Sequence, residues 1–188
     1  MIIVTGGAGF IGTNLVRSLL NLNKKILIVE EIDRYTNKFQ NIKNLDIVDC
    51  VAHDIFLKDL LNDKYKNKIE YIFHLGACSK TTEPDRNYIM DVNLNYSKRL
   101  LEYAANNKIN MVYASSASVY GSGNTFKEDS KNESSLNYYS ESKLLFDNYV
   151  RDNFGKISSQ IVGMRYFNVY GPYEQHKEVM SSVIFHFY

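Results

Sequence analysis

The stretch Thr5-Gly6-Gly7-Ala8-Gly9-Phe10-Ile11-Gly12 decides the fold that this sequence predicts. An apolar run at residues 1–4 precedes it as a short buried strand would, and apolar side chains recur at helical spacing directly after it. Strand, glycine turn and helix together are typical of a dinucleotide-binding loop. We expect Gly7 and Gly9 to let the backbone approach a pyrophosphate, and Gly12 to let the helix pack closely on the strand. The helix N-terminus then presents free N–H groups and a positive dipole end to the phosphates.

The rest of the chain alternates between predicted strands and helices. Further strands are expected at residues 26–29, 45–51, 69–75, 110–114 and 160–166, with helices at about 55–65, 84–106 and 139–154. Strands separated by helices need crossover connections, so the sheet should be parallel. The predicted fold is α/β: a Rossmann-like doubly wound parallel sheet with helices on both faces. We expect residues 1–168 to form the dinucleotide-binding Rossmann domain and residues 169–188 to begin a truncated substrate-binding portion.

Acidic and basic residues follow the second predicted strand. Glu30 lies eighteen positions after Gly12, where an acid typically binds the adenosine ribose hydroxyls and by itself favours NAD. Arg34 and Lys38 come shortly afterwards and could neutralise the 2′-phosphate of NADP. The residues therefore leave the choice between NAD and NADP open.

Tyr139 and Lys143 lie four residues apart in the predicted helix at 139–154. On a helix, side chains with this spacing share one face. A free phenol titrates near pH ~10 and is a poor base at neutrality, whereas a neighbouring ammonium favours the phenolate. The pair therefore predicts a group that takes a proton from an alcohol. The same spacing is also common on solvated helix faces.

Ser116 comes directly after the fifth predicted strand, within the stretch Tyr113 to Gly121. In sheets of this kind, ligands bind beyond the carboxyl ends of the strands. A hydroxyl at this point can hold the substrate oxygen while Tyr139 removes its proton. A nucleophilic serine is disfavoured because no G-x-S-x-G elbow surrounds Ser116. A serine-rich turn without a role in chemistry is the other interpretation.

Composition and charge exclude several classes of protein. With 188 residues, 45% hydrophobic and 23% charged, the chain fits one globular fold. Its net charge of +1 points to no nucleic-acid partner. The sequence has no apolar stretch as long as a membrane span, and its immediate entry into a strand leaves no room for a signal peptide. We therefore expect a cytoplasmic protein without a metal site, in which Cys50 and Cys78 stay reduced.

Several motifs together resemble the extended short-chain dehydrogenase/reductase family. The motifs are the glycine loop at 5–12, S-S-x-x-V-Y-G at 115–121, Y-x-x-x-K at 139–143 and R-Y-F-N-V-Y-G-P at 165–172. More specific stretches at 74–83, 144–151, 159–177 and 180–186 are similar to the epimerases of that family that act on ADP-heptose. The resemblance implies oxidation of the C6 hydroxyl to a ketone and return of the hydride to the opposite face. Bound NADP, with NAD as the alternative, would be regenerated in each turnover, and the product would supply heptose for lipopolysaccharide.

The resemblance also implies roles for individual residues. Tyr139 and Lys177 would be acid/base groups on opposite faces of the sugar, Ser116 would orient the reacting oxygen, and Lys143 would hold the nicotinamide ribose and lower the pKa of the tyrosine. The implied cofactor-binding residues are Gly6, Gly9, Phe10, Ile11, Gly12, Glu30, Glu31, Lys38, Leu75, Gly76, Ala77, Cys78, Ser79, Asn93, Lys143, Val169 and Lys177. The implied substrate-binding residues are Ser116, Asn168 and His186. Without the family, Lys177 is one more lysine in a polar loop, and His186 could equally be a buried helix histidine.

The sequence departs from the family pattern at a few positions. His53 stands where a cofactor-binding lysine is usual, Glu30-Glu31 replaces Asp-Asn, and Val179 replaces a serine that contacts substrate. Relatives continue beyond the position of Tyr188. We therefore expect a fragment of a homo-oligomeric enzyme that binds its cofactor but turns over little substrate.

Three alternative functions remain within reach of the same motifs. A sugar-nucleotide dehydratase would need an acid next to the active-site hydroxyl, where Ala117 and Ser118 stand. A UDP-hexose 4-epimerase retains the serine, tyrosine and lysine, and only Lys177 argues against it. A non-catalytic dinucleotide-binding protein is disfavoured because Tyr139 and Lys143 are both present.

Overall fold

The computed structural model describes residues 1–31 and 37–187 and contains one six-stranded parallel sheet, in the order β3-β2-β1-β4-β5-β6. The strands are β1 (Ile2–Thr5), β2 (Ile26–Val29), β3 (Asp49–Val51), β4 (Tyr71–His74), β5 (Asn110–Ser116) and β6 (Ile161–Tyr166). The helices are α1 (Phe10–Asn21), α2 (Asn37–Ile42), α3 (His53–Leu61), α4 (Arg86–Ile89), α5 (Tyr96–Asn106), α6 (Tyr138–Asn153) and α7 (Val183–Phe187). The predicted Rossmann-like α/β fold is confirmed.

Helices cover both faces of the sheet because successive strand residues point to opposite sides. On one face, Leu27 joins an apolar core that includes Phe56 of α3, Leu100 of α5 and Phe146 of α6. On the other face, the next strand residue, Ile28, joins a second core formed with α1 and α2. Alternation along β2 therefore fixes which helices pack on which side.

Several predicted element boundaries differ from the structure. The helix expected at 84–106 is divided into α4, a π-helical turn at Met90–Asn95, and α5. The strand expected at 45–51 pairs only from Asp49 to Val51, although Leu45 and Ile47 still pack against the second core. Helix α2 was not predicted. Among the described residues, no helix is both long and apolar enough to cross a bilayer.

The strand order places two loops side by side at β1 and β4, where the order in which the chain adds strands reverses. Chain order runs outward from β1 through β2 and β3 on one side, and from β4 to β6 on the other. The glycine loop follows β1 and residues 75–79 follow β4, so both loops leave the same edge of the sheet. A crevice between such loops is where open α/β sheets bind their ligands.

Candidate active site

The glycine loop is folded tightly against the loop that follows β4. Gly6 has a φ of +69°, and a Cβ atom there would lie 2.7 Å from the backbone nitrogen of Gly76. A Cβ atom on Gly12 would lie only 2.0 Å from the carbonyl oxygen of Gly6. Side chains are therefore excluded at both positions, and the backbone itself forms the floor of the crevice.

Two of the glycines also have packing roles inside the protein. A Cβ atom on Gly7 would lie 2.9 Å from the side chain of Ile28, so Gly7 is needed for packing on β2. Gly12 packs on the carbonyl of Gly6, within the loop, more closely than on the strand. Gly9 directly precedes α1. In the part of the chain that the structure describes, its Cβ position has one neighbour within 4 Å, the Gly6 carbonyl oxygen at 3.2 Å, which leaves open space for an approaching phosphate.

A chain of buried hydrogen bonds holds Gly76 in place. The Gly76 N–H donates to Thr5 Oγ1 at 3.0 Å, and this hydroxyl is 2.7 Å from His74 Nδ1. His74 Nε2 is 2.7 Å from Ser97 Oγ, which donates to the carbonyl of Asn93. Burial, with a smaller effect from Lys143, lowers the pKa of His74 to about 3, so the imidazole is neutral. A neutral ring accepts a hydrogen bond at Nδ1 and donates one at Nε2. Each polar group in this row of hydrogen bonds therefore has a partner.

Asn93 lies in the π-helical turn and binds the loop after β4 at Cys78. Its Oδ1 accepts from the Cys78 N–H at 2.8 Å, and its Nδ2 donates to the Cys78 carbonyl at 3.0 Å. The same Nδ2 also donates to Ser142 Oγ on α6 at 3.1 Å, and that hydroxyl donates to the carbonyl of Tyr139. The structure therefore makes Asn93 a link between this loop and α6, with its polar atoms occupied by protein rather than turned toward a cofactor.

The remaining cofactor-binding candidates after β4 lie along the crevice. Leu75 donates its N–H to the carbonyl of Thr5, which keeps the loop next to β1. Ala77 is half-buried, whereas Ser79 is exposed at the outer end of the loop. On the opposite side, Ile11 is half-buried in the first turn of α1.

Helix α6 begins where its side chains can cap it. Asn137 accepts from the Ser140 N–H, and Ser140 Oγ is hydrogen-bonded to the Asn137 N–H, so the two residues form a capping box. Tyr139 and Lys143 follow on one face, with Lys143 Nζ 5.8 Å from the centre of the Tyr139 ring. Lys143 is buried and donates to the carbonyl of Ala114 on β5 at 2.8 Å.

The electrostatics of this pair differ from the sequence prediction. Burial raises the pKa of Tyr139, although hydrogen bonding from Ser116 acts in the opposite direction. Burial lowers the pKa of Lys143 itself to about 8, opposed by the nearby carboxylate of Asp147. The expected lowering of the tyrosine pKa by Lys143 is therefore absent from this structure, because the ammonium is desolvated and directed to Ala114.

Ser116 caps a short turn at the end of β5. Its Oγ accepts from the N–H of Ser118 at 3.2 Å and lies 2.9 Å from the Ser118 hydroxyl. Ser116 is thus part of a serine-rich turn and also a neighbour of Tyr139. The structure brings Ser116, Tyr139 and Lys143 together beyond the carboxyl end of β5.

A buried ionic cluster that the sequence analysis missed anchors α6 to the sheet. Asp147, one turn after Lys143, accepts from the hydroxyls of Tyr113 and Ser115 at 3.0 and 2.8 Å. Arg165 on β6 donates to Asp147 at 3.2 Å and also binds Glu133. Arg165 belongs to the R-Y-F-N-V-Y-G-P stretch, which was the only signal of its role in the sequence.

The acidic residues after β2 are already paired. Glu30 Oε1 is 3.2 Å from Lys38 Nζ, and both residues are partly buried. Glu31 accepts from the His53 N–H at 3.1 Å and contacts the His53 imidazole. His53, which stands where the family usually has a lysine, is therefore a partner for Glu31. Arg34, the other predicted cation, lies outside the described residues.

The segment after β6 brings a second cation to the crevice. Lys177 Nζ lies 5.4 Å from the centre of the Phe10 ring, on the side of the glycine loop. Asn168 is exposed and Val169 is half-buried shortly after β6, and Val179 is 86% exposed. His186 is exposed on α7, so the alternative of a buried helix histidine is wrong.

Ser116, Tyr139 and Lys143 are grouped at the carboxyl end of β5, next to a glycine-lined crevice. Together with the fold, this group defines a Rossmann domain of the short-chain dehydrogenase/reductase type. Residues 2–188 match the model of the NAD dependent epimerase/dehydratase family, and this chain belongs to that family. The predicted resemblance is confirmed.

Individual relatives narrow the comparison further. An ADP-L-glycero-D-manno-heptose-6-epimerase of Brachyspira hyodysenteriae is 48% identical over 192 residues, which cover 100% of this chain and 60% of that relative. The crystal structure of the Helicobacter pylori ADP-L-glycero-D-manno-heptose-6-epimerase has a TM-score of 0.84 and 34% identity, covering 98% of this chain and 60% of that one. A Bacillus cereus UDP-glucuronic acid 4-epimerase in complex with NAD has a TM-score of 0.80 and 28% identity, and the match covers 94% of this chain and 59% of that one. The chain therefore spans about 60% of the length of the curated relative it matches.

Proposed function

We propose that the full-length protein converts ADP-D-glycero-D-manno-heptose to the L-glycero epimer at C6. The observation that carries this proposal is the placement of Tyr139 beside Ser116 and Lys143, across the crevice from the glycine loop and Lys177. The 48% identity to the Brachyspira relative supports ADP-heptose as the substrate over other sugar nucleotides. The product would supply heptose for lipopolysaccharide.

A nicotinamide dinucleotide fits the residues that form the crevice. The contacts of Gly6 and Gly12 leave a floor of bare backbone, and α1 begins directly after Gly9, which together suit a pyrophosphate. We propose NADP, with NAD as the alternative, because Lys38 lies next to Glu30 at the end of β2 and can face a 2′-phosphate. The NAD-bound Bacillus relative supports the nicotinamide class of cofactor but leaves this preference to experiment.

The chemistry needs an acid/base group on each face of the sugar, one to take the hydroxyl proton and one to return a proton to the oxygen. The bound dinucleotide supplies the acceptor and donor of hydride. Tyr139 takes the proton of the C6 hydroxyl and Ser116 orients the same oxygen. Lys143, whose pKa is about 8, can gain or lose a proton near neutral pH. Lys177 is the acid/base group for the opposite face of the sugar. Inversion requires that hydride return to the face of the C6 ketone opposite to the one it left, while the acid/base group on that side gives the proton back to the oxygen.

The organisation of the protein is also part of the proposal. Residues 1–168 form the dinucleotide-binding domain, consistent with the end of β6 at Tyr166, and residues 169–188 begin the substrate-binding portion. Asn168 and His186 contact the sugar nucleotide. We further propose a cytoplasmic homo-oligomer in which residues 1–188 alone bind dinucleotide with little turnover.

Turnover of defined substrates tests this function. ADP-D-glycero-D-manno-heptose and UDP-galactose are incubated separately with the full-length protein, and the epimers are separated by chromatography. Mass spectrometry of the denatured protein identifies the dinucleotide retained on purification. We expect conversion of ADP-heptose without added cofactor and retention of NADP. Conversion of UDP-galactose alone would instead identify a hexose 4-epimerase, and absence of both dinucleotide and conversion would contradict the proposal.

A further inference from the structure

Glu174 is the most buried acidic side chain in the segment after β6, with 1% of its surface exposed. Its Oε1 accepts from the Gly171 N–H at 2.9 Å and from the Ser182 hydroxyl at 2.9 Å. Its Oε2 accepts from the Ser182 N–H at 2.6 Å. One carboxylate therefore ties together two backbone positions, Gly171 and Ser182, that lie eleven residues apart.

The main chain of Glu174 extends the same set of contacts. Its carbonyl accepts from the Lys177 N–H at 2.8 Å and from Ser181 Oγ at 3.2 Å. Burial alone would raise the pKa of Glu174, but the hydrogen bonds from Ser182 and Gly171, with a smaller contribution from the charge of Lys177, lower it below its ordinary value. The carboxylate is thus ionised at neutral pH and held by donors rather than by a direct ion pair.

The segment that Glu174 holds contains an unfavourable backbone. Tyr173 has a φ of +76° and Glu178 a φ of +48°, both in the left-handed region that side chains disfavour. Such conformations persist only where surrounding contacts enforce them, and they occur preferentially at functional sites. The contacts of Glu174 reach Gly171, before Tyr173, and Ser181 and Ser182, after Glu178, so they hold the segment on both sides of the two strained positions.

Two residues of the proposed active site depend on this segment. Lys177 lies between the two strained positions and reaches over the Phe10 ring from there. His186 lies on α7, whose first turn is capped by Ser182 Oγ, which accepts from the Phe185 N–H at 3.2 Å. Because Ser182 is itself bound to Glu174, the carboxylate connects the loop of Lys177 to the start of the helix that carries His186.

We propose that Glu174 is a positioning residue that places Lys177 and His186 on the substrate side of the crevice. The inference rests on the proposed function for the roles of those two residues. A carboxylate is required because both of its oxygens face backbone donors. Glutamine would turn its NH2 group toward either the Gly171 or the Ser182 N–H, so one contact would become donor against donor.

The substitution Glu174→Gln in the full-length protein tests this role. Exchange of backbone amides with deuterium is followed by mass spectrometry over residues 168–187 and, for comparison, over the strands of the sheet. In the same preparations, kcat, KM and the amount of retained dinucleotide are measured with ADP-heptose. Glu102→Gln is the matched control, since Glu102 is exposed on α5 and accepts, among the described residues, from the Tyr149 hydroxyl.

We expect Glu174→Gln to increase exchange over residues 171–187 and to lower kcat by about tenfold or more, the effect of losing a charge-assisted hydrogen bond. Retained dinucleotide and exchange in the sheet should stay within about twofold of wild type, as should every property of Glu102→Gln. Ser182→Ala, which keeps both backbone donors, should have a smaller effect on kcat.

Three results would overturn the inference: unchanged exchange over 171–187, faster exchange with unchanged kcat and KM, or equal loss of dinucleotide and activity, which would indicate a general effect on folding. A wild-type protein inactive toward ADP-heptose would contradict the proposed function instead. Amide exchange would then still decide whether Glu174 holds the segment.

Discussion

The Asn93 side chain binds both backbone polar groups of Cys78, accepting from its N–H at 2.8 Å and donating to its carbonyl at 3.0 Å. The same side chain reaches Ser142 on α6, the residue directly before Lys143. The loop that forms one wall of the crevice and the helix that carries Tyr139 are therefore positioned by a single amide group. No local feature of the sequence predicts this link, because its partners come from three separate elements.

We predict that Asn93→Ala lowers kcat by about tenfold to a hundredfold, since small misplacements of reacting groups cost rate steeply. Unpaired polar groups at Cys78 should also lower the free energy of unfolding by about 1–3 kcal/mol. Steady-state kinetics and urea unfolding measure the two effects. Asn95→Ala, at an exposed position of the same π-helical turn, should change neither, and equal effects of both variants would contradict the assignment.

Tyr139→Phe should lower kcat for epimerisation by about 10²- to 10⁴-fold, the usual contribution of a general acid or base. Retained dinucleotide should be unchanged, because only the phenolic oxygen is removed. Tyr149→Phe on the same helix is the control, since its hydroxyl contacts Glu102 far from Ser116. Full activity of Tyr139→Phe would show that the proton acceptor has been wrongly assigned.

Gly12→Ala should abolish dinucleotide retention and lower the free energy of unfolding by about 1–3 kcal/mol, as overpacking does. Its Cβ atom would lie 2.0 Å from the Gly6 carbonyl oxygen, so the loop must move. Gly155→Ala provides a matched control because no other part of the described chain comes within 4 Å of its Cβ position. Mass spectrometry and thermal unfolding compare the two variants, and retention of dinucleotide by Gly12→Ala would exclude a tight glycine cradle.

The stability of the protein should fall as the pH drops below 6.5. The pKa of His74 is lowered from 6.5 to about 3. Between these pH values the unfolded chain binds a proton at His74 and the folded protein does not. Between pH 6.5 and 3, this difference costs up to about 1.4 kcal/mol of unfolding free energy per pH unit. Burial and nearby cations lower the pKa of His176 as well, which acts in the same direction.

Urea unfolding at pH 7 and pH 5 measures this dependence. The range lies above the ordinary pKa of carboxylates, so histidines dominate the slope. His74→Gln should show a smaller loss of stability between the two pH values than wild type. A wild-type stability that does not change between pH 7 and pH 5 would show that the imidazole accepts a proton in the folded protein.

Asp147→Ala should destabilise the protein by about 3–5 kcal/mol, because it leaves the charge of Arg165 incompletely paired in a buried position. Activity should fall together with stability, since α6 loses its bonds to Tyr113 and Ser115. Asp152→Ala, exposed on the same helix, should change the unfolding free energy by less than about 0.5 kcal/mol. A small effect at Asp147 would show that Glu133 alone can neutralise Arg165.

Some features were predicted well because they depend on residues close together in the chain. Strand β2, a clear apolar run, has the predicted bounds, and α6 begins within one residue of the predicted start, where the structure shows a local capping box. The division of the 84–106 helix was missed because the π-helical turn is stabilised by Asn93 and its distant partners. The roles of Tyr139, Lys177 and the cofactor-binding residues stay predictions.

The pKa prediction for Tyr139 failed for a similar reason. Spacing places Lys143 on the same helix face, but it carries no information about desolvation or about competing acceptors. In the structure, the carbonyl of Ala114 takes the hydrogen bond of the lysine, and burial raises the pKa of the phenol. Helical periodicity thus located the pair without determining its electrostatics.

The sequence by itself determined the alternation of strands and helices along the chain, the glycine loop and the four-residue spacing of Tyr139 and Lys143. Each of these arises from periodicity or sterics over a few residues. Only the tertiary structure decided that Thr5 and His74 support Gly76, that Asn93 holds Cys78, and that Glu174 joins Gly171 to Ser182. These contacts depend on which buried donors and acceptors meet once the sheet has formed. A buried polar group must find its partner wherever packing brings one, and the partner is commonly distant in the chain.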